Sequence, residues 1–234
     1  SVFLVIASEW MSGAFSEVVE TSLERAAMSK DLASLTDSLK TRNLQLQDAR
    51  RQLAEQATID EMTGLRNRRG VNIIINDELA RMKRMQLPIA VIALDVDHFK
   101  TYNDNCGHPA GDQVLQELAN VMLEMTSRAG EFAARMGEEE FVLFYPTVNR
   151  TAALELAEEL RMKVLGLKIP HEKSLTAEYV TVSIGVISCV PEWEMGFDTL
   201  LKAADDALYL SKTSGRNRVT VSYTHLTLPT NSGV

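Results

Sequence analysis

Two acidic stretches are where this chain could do chemistry. ALDVDHFK sets Asp95 and Asp97 two residues apart at the end of an apolar run, and RMGEEEFVLF sets Glu138, Glu139 and Glu140 between a glycine and another apolar run. Aspartate is a poor strand residue and a buried, unpaired carboxylate is costly, so the aspartates belong at a sheet's end. Alternate strand positions point to one side, which gives Asp95 and Asp97 a common face. If the glutamates turn a hairpin beside them, Glu139 or Glu140 comes close to Asp95. Carboxylates crowded there repel unless a cation lies between them. Hard oxygen donors suit Mg²⁺ or Mn²⁺, held by one or two carboxylates and completed by substrate phosphates. Taken alone, GEEEF favours a solvated acidic turn.

Other residues supply what a phosphorylated substrate needs. Lys100 follows the aspartate strand by one turn of chain, and Lys212 and Arg216 flank TSG after the last helical pattern. Lysine and arginine beside glycine-containing turns are natural phosphate partners. In NDNCGHPAGD, Asn103 and Asp112 offer the donor and acceptor chemistry of a guanine edge, where a carboxylate accepts from N1–H and N2–H. Asp112 reads equally as a helix-start residue favoured by the dipole.

The elements that must position these groups follow from periodicity. Residues 70–84 read as a helix with Val71, Ile74, Ile75, Leu79 and Met82 on one side, and 89–96 as a buried strand. Residues 111–126 read as an amphipathic helix, EFAARM and EFVLFY as strands flanking the Gly137 turn, and 150–167 as a helix. Residues 179–189 then read as a strand, 197–215 as a helix ending at a glycine, and NRVTVS as a last short strand. This order predicts an α/β (α+β) domain: a central mixed sheet with flanking helices, of the ferredoxin-like or polymerase-palm kind.

Upstream, Leu32, Leu39, Leu46 and Leu53 are seven apart, and no Gly or Pro interrupts 14–63. Residues 28–56 therefore read as a coiled-coil helix about 43 Å long, whose partner is a second, parallel copy of the chain. Residues 1–27 are expected to be the end of a truncated sensor or membrane segment; their opening apolar run is far short of the roughly 20 residues a spanning helix needs. Residues 222–234 are expected to be a tail. A net charge of −8 argues against nucleic-acid backbone as a partner, and two isolated cysteines favour a reducing, cytoplasmic setting for the domain, with membrane attachment left open for a longer protein.

Five motifs occur in order: DEMTGLRNRRG (60–70), LDVDHFKTYNDNCGHPAGD (94–112), RMGEEEFVLF (135–144), VSIGV (182–186) and ADDALYLSKTSGRNRV (204–219). Over residues 57–221 the chain resembles the GGDEF family of diguanylate cyclases. The resemblance implies condensation of two GTP into cyclic di-GMP, with release of two pyrophosphates, between two domains. By position, Asp95, the Val96 carbonyl and Glu139 resemble the metal ligands. Glu139 also resembles the residue that helps deprotonate the attacking 3′-hydroxyl, and Glu140 supports the metal site. Lys100 resembles the phosphate-neutralising lysine, with Lys212 and Arg216 on the β- and γ-phosphates. Asn103, His108 and Asp112 fall at nucleotide-contact positions.

The match has departures. The family's second signature glycine is Glu138, where a side chain would cost roughly 1–2 kcal/mol if its φ were positive, and would add charge beside a triphosphate. The Arg-x-x-Asp product-inhibition motif reads Arg128-Ala129-Gly130-Glu131, with Arg135 just beyond it; a further family arginine is Glu159, although Arg161 is near. Feedback by cyclic di-GMP is therefore in doubt. A degenerate domain that binds GTP or cyclic di-GMP and signals through the stalk is the alternative to a working cyclase. A purely structural coiled-coil module is the third reading.

Overall fold

The computed structural model describes Met28, Lys30, Leu32 and residues 35–47 and 57–222. The chain divides into two units between Gln56 and Ala57. In the first, residues 35–47 are helical (α1), and Leu32, Leu39 and Leu46 are each about 60% exposed. Leu53, residues 1–27 and residues 223–234 lie outside the described residues.

The second unit runs β1 (Arg66–Asn67), α2 (Arg68–Met85), β2 (Ile89–Val96), α3 (Phe99–Cys106), α4 (His108–Met125), β3 (Phe132–Arg135), β4 (Glu140–Pro146), α5 (Arg150–Gly166), β5 (Val182–Cys189), α6 (Phe197–Thr213), β6 (Val219–Val221). The sheet order is β1-β3-β4-β2-β5-β6, antiparallel at its centre and parallel at both edges. This is the mixed sheet with flanking helices that periodicity predicts.

β2 lies at the centre with all eight residues buried. Ala90, Ile92 and Leu94 pack under α4 and α5, while Val91 and Ala93 pack under α2 and α6. Burial on both faces explains why its sequence is a continuous apolar run. Gly185 of VSIGV has a packing reason: a Cβ there would lie 2.1 Å from the Ala204 carbonyl, so only glycine lets α6 close on β5.

Three elements differ from expectation. α3 forms where a polar turn is expected from residue 103, because buried Phe99 and Tyr102 anchor a segment rich in poor helix formers. α4 begins at His108 rather than Gly111, with Pro109 in its first turn, where a missing N–H costs nothing. The two-residue β1 is too short to have a period.

Candidate active site

The end of β2 is where the carboxylates meet. Asp95 pairs in register with Glu140 of β4 and Ser183 of β5, so the three share a face. Lys212, in the last turn of α6, places Nζ 2.7 Å from Asp95 Oδ2. Burial pushes the Asp95 carboxyl up; the Lys212 hydrogen bond and charge pull it back, and Glu140 and Asp97 push it up again. Burial also raises Glu139, with Asp95 and Glu138 adding to the effect.

Asp97 is spent on structure. Buried to 2% exposure, it accepts from Thr181 Oγ1 at 2.7 Å, Ser183 Oγ at 2.6 Å and the Asn217 backbone N–H at 3.0 Å. Ser183 opposes Asp95 and bonds Asp97, which places the two aspartates on one side, as their spacing predicts.

The hairpin closes through the Glu140 carbonyl, which accepts from Met136 N at 2.8 Å and Gly137 N at 3.3 Å. Arg135 clamps the turn: it donates to the Gly137 carbonyl at 3.1 Å and the Glu138 carbonyl at 2.7 Å, and lies 3.3 Å from Asp60. Neither Gly137 nor Glu138 has positive φ, and Glu138 is exposed. The conditional strain cost at Glu138 is therefore absent; only its charge remains.

Beyond the end of β2, His98 precedes α3 without a side-chain cap, and Lys100 is exposed in the first turn of that helix. Arg216 lies close enough that, after burial, its charge is the next largest influence lowering His98. Asn103 Oδ1 is buried without a hydrogen-bond partner, and a Cβ on Gly111 would come 1.9 Å from it, so α3 and α4 meet around this amide. Asp112 is exposed and lies beyond the first turn of α4, which removes the helix-start account of it. His108 is the exposed first residue of that helix.

Residues 57–218 match the family model for the diguanylate cyclase GGDEF domain. The chain belongs to the GGDEF family. It is 38% identical over 167 residues to the response regulator PleD of Caulobacter vibrioides (strain NA1000 / CB15N), covering 70% of this chain and 36% of that protein. To the diguanylate cyclase DosC of Escherichia coli K12 it is 31% identical over 161 residues, covering 69% of this chain and 34% of DosC. The chain thus spans about a third of the length of these curated relatives. Its structure resembles the coiled coil and GGDEF domain of DgcB from Caulobacter crescentus in complex with c-di-GMP, with TM-score 0.64 and 31% identity over 81% of this chain and 97% of that one. It also resembles the active GGEEF domain of a diguanylate cyclase from Vibrio cholerae, with TM-score 0.59 and 31% identity over 68% and 97%.

Within this GGDEF domain, Arg128 and Glu131 line a cavity of about 230 Å³ with Glu124, Tyr145, Glu159 and Lys163. Arg135 and Arg161 are not among its lining residues. Arg135 serves the turn, and Arg161 pairs with Glu158 and Asn217. A second cavity, of about 260 Å³, is lined by Arg68, Glu140, Asp205, Tyr209 and Lys212, among others. Asp205 escaped the sequence reading; its signal was a seven-residue spacing to Lys212, two turns along one helix face. Burial and Glu140 raise its carboxyl.

Among the described residues no three His, Cys, Asp or Glu side chains converge on one metal position. Asp95 and Glu139 lie near enough for the charge of one to act on the other, and hard carboxylate oxygens of this kind are donors that a divalent cation takes alongside phosphate oxygens. Lys212 on Asp95 also marks this position as one that demands positive charge. No described helix is long and apolar enough to cross a membrane.

Proposed function

We propose that this domain is a diguanylate cyclase. Two copies, each holding one GTP, face each other and form cyclic di-GMP and two pyrophosphates. The observation that carries this reading is the meeting of Asp95, Glu139, Glu140 and Lys212 at one sheet end, with the α3 N-terminus and Arg216 beside it. Phosphoryl transfer needs positioning and charge neutralisation more than covalent chemistry, and these groups supply both.

Asp95, the Val96 carbonyl and Glu139 would hold Mg²⁺ or Mn²⁺. When bound, the cation supplies charge neutralisation at the transferring phosphate and a lower pKa for the attacking hydroxyl. Glu139 accepts the 3′-hydroxyl proton. Glu140 supports the site from the paired strand. Lys100 and the free backbone N–H groups at the start of α3 receive phosphate oxygens. Lys212 leaves Asp95 for the β- and γ-phosphates alongside Arg216.

Asn103 and Asp112 read the guanine edge, with His108 beside them. The orphaned Asn103 oxygen supports this role, since a buried acceptor without a partner is costly until a ligand N–H meets it. Around Arg128, three glutamates weaken any site for the doubly anionic product, so cyclic di-GMP inhibits poorly there.

The test is to incubate purified protein with GTP and Mg²⁺ and assay cyclic di-GMP. The parent chain should make it, and Asp95→Asn should lose at least about 100-fold in rate while melting as the parent does. GTP binding without product would instead mark a nucleotide-binding signalling module.

A further inference from the structure

The turn that carries Arg216 is backbone-strained. Gly215, Arg216 and Asn217 have φ of 110°, 60° and 44°. The left-handed region is unfavourable for Arg216 and less so for Asn217, since asparagine enters it more readily than most residues; two such residues in succession persist where their surroundings hold them. Arg216 itself is held through its backbone, its N–H donating to the Ser211 carbonyl at 3.0 Å and its carbonyl accepting from Arg218 Nε at 3.1 Å; Asn217 is held by two groups from other elements, neither of them a proposed nucleotide contact. From inside the sheet, Asp97 takes the Asn217 backbone N–H at 3.0 Å, its own position locked by Thr181 and Ser183. From α5, Arg161 Nη1 donates to Asn217 Oδ1 at 2.7 Å. Glu158 holds the same guanidinium through Nε and Nη2, which fixes its plane and aims the remaining nitrogen at the turn. The Arg161 side chain is only 14% exposed. An arginine largely covered and oriented this way, on a different element and 56 residues from its target, is a brace.

We propose that Arg161 and Asn217 are positioning residues for Arg216, holding its left-handed backbone so that the guanidinium meets the triphosphate. The inference rests on reading Arg216 as a phosphate ligand. It predicts that loss of the brace is felt at the β- and γ-phosphates and not at the base.

The experiment titrates GTP and GMP, each with Mg²⁺, into the parent chain, Arg161→Gln, Arg161→Lys, Arg216→Ala and the Arg161→Gln/Arg216→Ala double variant, with a thermal melt of each. Arg161→Gln should weaken GTP about tenfold, the scale of one hydrogen bond from a charged donor, and leave GMP within about twofold of the parent. Arg161→Lys keeps a cationic donor and should recover part of the loss; it also serves as the readout if the glutamine variant melts too low. The double variant should bind GTP no more weakly than Arg216→Ala, because the two act as one unit. Equal losses for GTP and GMP, unchanged GTP binding in Arg161→Gln, or losses that multiply in the double variant would each overturn the brace. If Arg216→Ala itself binds GTP like the parent, the phosphate reading of Arg216 fails first, and the brace fails with it.

Discussion

Around Lys212, carboxylates are held together against their own repulsion, and that has a measurable consequence at Asp205. Its pKa is raised by burial and then by Glu140 and Asp206, with Lys212 and Arg68 only partly offsetting them. A carboxyl with a higher pKa folded than unfolded leaves the native state holding more protons in the interval between the two values. Stability therefore falls as pH rises through that interval, from about 4 upward. Asp205→Asn should remove this fall. In urea unfolding, its advantage over the parent should grow with pH across the interval and then level off; an advantage that shrinks as pH rises would contradict the assigned sign. Glu138 calls for a different test, since its backbone is unstrained and only its charge opposes a triphosphate. Glu138→Gly should lower KM for GTP severalfold at low salt, less at high salt. It should also move the acid limb of the rate profile to lower pH, because Glu138 helps raise Glu139. Lower activity in the glycine variant would mean that Glu138 takes part in the chemistry. Asp95 and Lys212 were legible as residue types next to turns. The role of Asp97 was not, because its partners Thr181, Ser183 and Asn217 lie 84 to 120 residues further along the chain.

Elements were legible where burial imposes a period. β2 is apolar because both its faces are covered, and α6 announces itself through Leu200, Ala203, Ala204, Ala207 and Leu208. α3 was hidden because FKTYNDNC has weak helical propensity and gains its helix from two buried aromatic rings. The link between elements at Arg135 was hidden for a related reason: a guanidinium beside a signature reads as a ligand-binding group, whereas here it bonds backbone. It ties β3 to the Gly137–Glu138 carbonyls and to Asp60, whose carboxylate also receives the Thr63 amide and hydroxyl. Arg135→Ala should free the turn that presents Glu139. We expect a stability loss of about 1–2 kcal/mol in urea unfolding, reduced from a fully buried value because the arginine reaches solvent. Turnover should fall further than GTP affinity does. If affinity falls and turnover per bound GTP is unchanged, Arg135 acts on binding and not on the turn.

At the scale of the molecule, the proposed reaction gives each domain one GTP and needs two, facing. The leucine stripe of the first unit is a natural means to bring them together: Leu32, Leu39 and Leu46 share a heptad position and stand about 60% exposed in the single chain. Leucines left so open are costly in water, and a second copy of the same stripe buries them at roughly 25 cal/mol per Å². Joining two domains through such a stalk replaces a bimolecular encounter by an effective concentration that reaches the millimolar range for a short linker. Two glutamates per chain in that seam, Leu39→Glu and Leu46→Glu together, would set like charges against each other at two layers. The variant should run as a monomer in light scattering at concentrations where the parent is a dimer. Its rate per chain should be lower and should climb with protein concentration, while GTP binding per chain stays at the parent value because the site residues lie in the other unit. A variant that stays a tight dimer would show that the seam is not the interface. A monomer with full, concentration-independent turnover would show that the two substrates do not need two domains.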